Sequence, residues 1–149
     1  MKNNKGVTLT ELIVTMAVVS ILLATIGTIL FTSYYSYYGI TQMNEDKMIG
    51  DILYDYVTEQ VARASSLEIL HTDHIVINDT TTLMISNGVL CNNGQNIYSD
   101  AFYNNTTVCM TVEPYNLHAV DIHFYVYRNG EKTYHVGSVI KLLNYQFPA

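Results

Sequence analysis

The chain has 149 residues, of which 49% are apolar and only 13% charged, enough for one modest domain with an appendage. Its formal net charge is −6 and no basic patch stands ready to neutralise phosphates, which excludes a nucleic-acid-binding surface and suits a solvated exterior. The apolar residues are concentrated in one block, Val7–Phe31, followed by an ordinary half-polar stretch rich in Asn and Thr, so the pattern predicts a membrane segment and then one small core.

The N-terminal block is too long for a secretory signal. Its 25 apolar residues exceed the roughly 7–15 of a signal-peptide core, and Thr32-Ser33-Tyr34-Tyr35 follows instead of a small-residue cleavage site. As a helix it would span about 37 Å, more than the roughly 30 Å of bilayer hydrocarbon. Lys2 and Lys5 precede it, and Glu45 and Asp46 are the first charges after it. The positive-inside rule then predicts a cytoplasmic N-terminus and an external domain. One residue does not suit a plain anchor: Glu11 is the only charge in the apolar run. A carboxylate near hydrocarbon costs several kcal/mol on most scales, so its presence points to a partner.

Around it stands Lys5-Gly6-Val7-Thr8-Leu9-Thr10-Glu11-Leu12-Ile13-Val14. This segment resembles the leader of type IV prepilins and of the pseudopilins of secretion and competence systems. The resemblance implies that a prepilin peptidase cuts after Gly6, that Val7 becomes the new, N-methylated terminus, and that Glu11 is the family's assembly glutamate. Cleavage before the span leaves the helix on the mature protein, removes Lys2 and Lys5, and takes the net charge from −6 to −8. In a bundle of staggered helices Glu11 would face the Val7 amine of a neighbour, each charge losing its desolvation penalty only when the other arrives, which sets the axial register. Two features depart from the family's pattern. Val7 stands where Phe is usual, and no proline precedes Pro114, leaving Gly27 as a weak break point worth about 1 kcal/mol of helix propensity.

Four tyrosines, Tyr34, Tyr35, Tyr37 and Tyr38, follow the span and suit the aromatic belt of a membrane interface. From about Ile40 to Ala64, Ile49, Ile52, Leu53, Tyr56, Val57, Val61 and Ala64 recur at helical spacing. Glu45, Asp46, Lys47, Asp51, Asp55 and Glu59 fill the polar remainder. Without a proline or turn cluster between them, the two stretches predict one helix from Val7 to Ala64.

Beyond Leu67 the period changes towards two. Strands are predicted around 69–77, 83–85, 89–90, 108–112, 120–128 and 133–143, punctuated by Asn78-Asp79, Asn87-Gly88, Asn92-Asn93-Gly94 and Asn129-Gly130, with 100–107 as a loop. In the last hairpin Val120, Ile122, Phe124 and Val126 share one face, and Tyr134, Val136, Ser138, Ile140 and Leu142 share another. Both sets reach one core only if paired numbers sum to an even value, which favours a three-residue loop ending at Gly130. Cys91 and Cys109 form either a disulfide, closing a loop of about 18 residues and stabilising by roughly 3 kcal/mol, or two buried free thiols.

Candidate chemistry is sparse. His71 and His74, three apart on one strand, would diverge, and His123 and His135 are expected on opposite faces of the hairpin, so no metal site and no cofactor are expected. No paired acids, nucleophile elbow or phosphate loop is present. Asn78-x-Thr80 and Asn104-x-Thr106 match glycosylation sequons of the kind common by chance.

The expectation is thus an α+β, pilin-like chain: leader 1–6, transmembrane and filament-core helix 7–31, amphipathic continuation 32–66, and an antiparallel β-sheet domain 67–149. It would serve as a minor pilin or pseudopilin, with other subunits, prepilin peptidase, the assembly platform and the membrane as partners and a tip ligand that the sequence does not name. The rival expectations are a bitopic anchored binding protein, for which an intact Met1 would speak, and a tethered enzyme, which lacks a residue set.

Overall fold

The computed structural model describes residues 8–144, and the chain divides into two compact units, Met1–Thr41 and Gln42–Ala149. One helix, α1 (Leu9–Ala62), runs through both. No proline interrupts its ladder, and in a lipid setting every backbone group must be satisfied within the segment. In the first unit its side chains are exposed all round, from Leu9 at 74% to Val18 at 51%.

Among the described residues the second unit has eight strands in two antiparallel meanders. The five-stranded sheet is β1 (Leu67–His71), β2 (His74–Ile77), β3 (Thr81–Ser86), β4 (Val89–Asn92) and β5 (Gln95–Asn96), in sequence order. The three-stranded sheet is β6 (Thr106–Asn116), β7 (Ala119–Arg128) and β8 (Glu131–Lys141). The single sheet expected from sequence is therefore two. The segment expected as a loop holds α2 (Asp100–Tyr103) and the start of β6. Backbone bonds from Val108 N–H to Gly88 O (2.8 Å) and from Val112 N–H to Thr72 O (2.6 Å) tie β6 to turns of the first sheet.

The core lies between these sheets and the second half of α1. Ile49, Leu53, Val57 and Val61 come from the helix, Ile75, Ile77, Leu83 and Leu90 from the first sheet, and Met110, Val112, Val120, Ile122, Phe124 and Val126 from the second. Alternate strand residues point inward because successive strand side chains leave on opposite faces. The helix seats closely on β8: a Cβ on Gly50 would stand 2.6 Å from Tyr134 Cδ1, and the Tyr134 hydroxyl donates to Asp51 Oδ1 at 2.7 Å. That bond, with burial and the Asp51 charge, pushes the phenol up to about 12. After α1, Asn78 Oδ1 accepts from the Ser65 and Ser66 N–H groups at 2.8 and 3.2 Å and so fixes the turn into β1.

The last hairpin solves its parity problem differently from the expectation. Arg128 pairs with Glu131 across a two-residue Asn129-Gly130 turn, both residues at positive φ (54° and 82°), which twists with the strands. The register then shifts between Val126 and Tyr127: Tyr127 pairs with Lys132 and Val126 with Tyr134, so Thr133 is an extra residue. A bulge, not a longer loop, brings Val120 opposite Ile140 and Ile122 opposite Ser138.

Asp46, expected on the solvated face, is buried at 1% exposure. Arg128 donates to it through Nε at 3.1 Å and through a terminal nitrogen, and donates through its other terminal nitrogen to the Asn104 carbonyl at 2.9 Å. Glu45 accepts from the Asn104 amide at 2.8 Å. The cluster clamps the helix to the end of β7 and to the turn after α2.

Candidate membrane and assembly segment

Glu11 lies three residues after Thr8, and the spacing makes a reciprocal cap. The Thr8 hydroxyl accepts from the Glu11 N–H at 3.3 Å, while a Glu11 carboxylate oxygen takes bonds from the Thr8 hydroxyl at 3.3 Å and the Thr8 N–H at 3.4 Å. A helix leaves its first four N–H groups without partners, and a Thr-x-x-Glu pair satisfies two of them. The sequence carried this signal, and the reading of Glu11 as a charge awaiting a neighbour passed over it. Cleavage after Gly6, methylation of Val7 and the pairing of a Val7 amine fall on positions outside the described residues.

The polar atoms of the apolar run are absorbed by its own helix. Thr15 and Ser20 donate to the carbonyls of Glu11 and Met16 at 2.9 and 2.8 Å, and Thr25 and Thr28 to those of Leu22 and Thr25 at 2.8 Å. A hydroxyl bonded this way adds little cost in hydrocarbon. The helix is long and apolar enough to cross a membrane. Tyr34, Tyr35, Tyr37 and Tyr38 are exposed at its polar side, with the Phe31 and Tyr35 rings 4.6 Å apart.

Elsewhere the structure separates some candidate residues and joins others. Cys91 on β4 and Cys109 on β6 are free thiols; on each strand the neighbouring residues, Leu90 and Met110, line the core. Burial, and then the Asp73 charge, push the Cys109 thiol up. His71 and His74 do not share a strand. They are direct partners across the Thr72-Asp73 turn, ending β1 and opening β2. His123 and His135 do not lie on opposite faces either. The even register that sends Val120 and Ile122 inward sends odd-numbered residues outward together, and His123 Nδ1 stands 2.9 Å from His135 Nε2. Among the described residues, no three His, Cys, Asp or Glu side chains converge to hold a metal ion.

Residues 1–27 match the family model described as the prokaryotic N-terminal methylation motif. No curated protein and no solved structure matches the chain. The chain therefore begins with a type IV prepilin-like leader. The motif and the apolar helix after it support a type IV pilin-like subunit with a membrane-anchoring helix.

Proposed function

We propose that the chain is a minor pilin or pseudopilin, a structural subunit of a type IV pilus-like, secretion or competence filament. The observation that carries this reading is one acidic residue, Glu11, in the first turn of α1 and alone among charges in its apolar run, inside the segment that matches the methylation motif. The leader is cut between Gly6 and Val7 by a prepilin peptidase, and the Val7 amine is methylated. Until then the N-terminus is cytoplasmic and the domain external. Afterwards the platform of an assembly machine moves the subunit from membrane to filament, where its partners are other pilins or pseudopilins.

Glu11 has two states in this scheme. In the lone chain it caps its own helix through Thr8; in the filament its charge meets the amine of an adjacent subunit. Exchange of one partner for the other lets the residue stay in an apolar setting without remaining an uncompensated charge.

Two variants separate cap from charge. Glu11→Gln keeps an acceptor for the Thr8 N–H and removes the charge, whereas Glu11→Ala removes both. Both are expected to insert and be cleaved, with mass spectrometry finding Val7 at the mature terminus. Both are expected to be missing from sheared filaments. Filament incorporation of Glu11→Gln at the native level would overturn the charge-pairing role. An intact Met1 on protein from cells would overturn the filament reading and leave a plain anchored protein.

A further inference from the structure

The outer face of β6–β7–β8 carries an organised imidazole pair that the assembly role does not use. Asp121 Oδ1 lies 3.1 Å from His123 Nε2, which puts the ring proton on that nitrogen and leaves His123 Nδ1 bare. Nδ1 in turn faces His135 Nε2 at 2.9 Å. The His135 ring lies parallel to that of Tyr125, centroids 4.7 Å apart and planes 14° from each other. Across the strands, His123 pairs with Gly137, where a Cβ would come within 1.9 Å of Nδ1. Only glycine leaves room for the ring there. Register, stacking and an absent side chain together bring two nitrogens to one point on an accessible surface.

We propose that His123 and His135 bind a divalent late-transition cation, Cu²⁺ above the others, through Nδ1 and Nε2 respectively, with water completing its coordination. Two metal–nitrogen bonds of about 2.0–2.1 Å at a right angle span about 2.9 Å, the cis edge of a square-planar or tetragonal shell. A tetrahedral ion needs about 3.3–3.4 Å, which a turn of either ring also supplies; Zn²⁺ stands second because nitrogen sites bind Cu²⁺ more tightly. The nitrogens now point at each other across a shared proton. On binding, His135 Nε2 gives up that proton while Nδ1 takes one from water, a tautomer change that leaves the ring neutral with no net proton released, and the rings turn about their Cβ–Cγ bonds to face the ion. Asp121 is the outer partner that metal-bound imidazoles usually have, a carboxylate accepting from the remote N–H and fixing the tautomer. Lys132, whose ammonium lies 5.6 Å from the Tyr125 ring centroid, is the cation nearby that opposes binding.

The test is a CuCl₂ titration of the untagged full chain in detergent, read by electron paramagnetic resonance and calorimetry. One Cu²⁺ per chain is expected, with hyperfine splitting from two equatorial imidazole nitrogens. His123→Phe and His135→Phe keep an aromatic ring and remove the ligand; each is expected to weaken binding at least about tenfold, as is Asp121→Asn. His71→Phe with His74→Phe is expected to bind like the native chain. Native Cu²⁺ affinity in both His123→Phe and His135→Phe, or a native spectrum lacking two nitrogens, overturns the site. Circular dichroism in metal-free buffer, unchanged in each variant, confirms that the loss is of a ligand and not of the fold.

Discussion

A carboxylate that water cannot reach must have its charge answered within the protein. Asp46 is answered by Arg128, itself tied to the Asn104 carbonyl. Removing one member of a buried pair leaves the other uncompensated, at a cost of about 3–5 kcal/mol. Asp46→Ala is therefore expected to lower stability by about that much, read as a fall in the denaturant midpoint. A loss under about 1 kcal/mol, the range of an exposed pair, would show that the clamp is not buried in solution. The sequence contained a clue: Asp46, Gly50, Leu53, Val57 and Val61 share one helical stripe at three- and four-residue spacing. What was not legible was the partner, because Arg128 lies 82 positions away and reaches Asp46 only after β7 is in place. Glu11 shows the converse. Its isolation among apolar residues was plain, yet its cap with Thr8 was hidden behind the stronger interest of a membrane charge.

Among the elements, α1 was legible almost to its ends, because an unbroken apolar run joins an amphipathic one without a breaker. Most strands were legible from their alternation and most turns from Asn and Gly, three of them Asn-Gly pairs in two-residue reversals, but 69–77 was expected as one strand where Thr72-Asp73 divides β1 from β2, and β5 was not expected. Sheet number was not legible: β5 and β6 are separated in the chain by α2 and belong to different sheets. Nor was the bulge at Thr133. An even register can be met by an odd loop or by an extra residue in one strand, and the twist of the hairpin chose the second. The imidazole pair follows from the same even register, which was known, but whose consequence for odd-numbered residues was drawn with the wrong sign. Helix and sheet meet closely at Gly50. Alanine is the better helix former by about 1 kcal/mol, so Gly50→Ala would stabilise an open helix. Here its Cβ would press on Tyr134 at 2.6 Å and Val126 at 3.2 Å, and overpacking of about 1–3 kcal/mol prevails. A lower melting temperature is expected for Gly50→Ala, and an unchanged or slightly raised one for Gly39→Ala, which has nothing within 4 Å. Stabilisation by Gly50→Ala would show that the ring moves aside at no cost.

At the scale of the molecule, the two units answer to different solvents. The core draws on residues from Ile49 onward, and the exposed run of α1 in the first unit contributes none of it. A chain beginning at Gln42 keeps the core and the Asp46 clamp, and is expected to be a soluble monomer with the melting temperature of the full chain in mild detergent. A chain beginning at Ile49 keeps the core but loses Asp46, and is expected to melt lower. Aggregation or non-cooperative melting of the Gln42 chain would show that the apolar run supports the fold. The turns carry one more consequence. Asn87-Gly88, Asn93-Gly94 and Asn129-Gly130 each hold both residues at positive φ. An asparagine followed by glycine is also where a backbone amide has least hindrance to attack its neighbour's side-chain carbonyl, closing a succinimide and releasing ammonia. The dipeptides that reverse three hairpins are thus the points at which the covalent chain itself is most open to ageing.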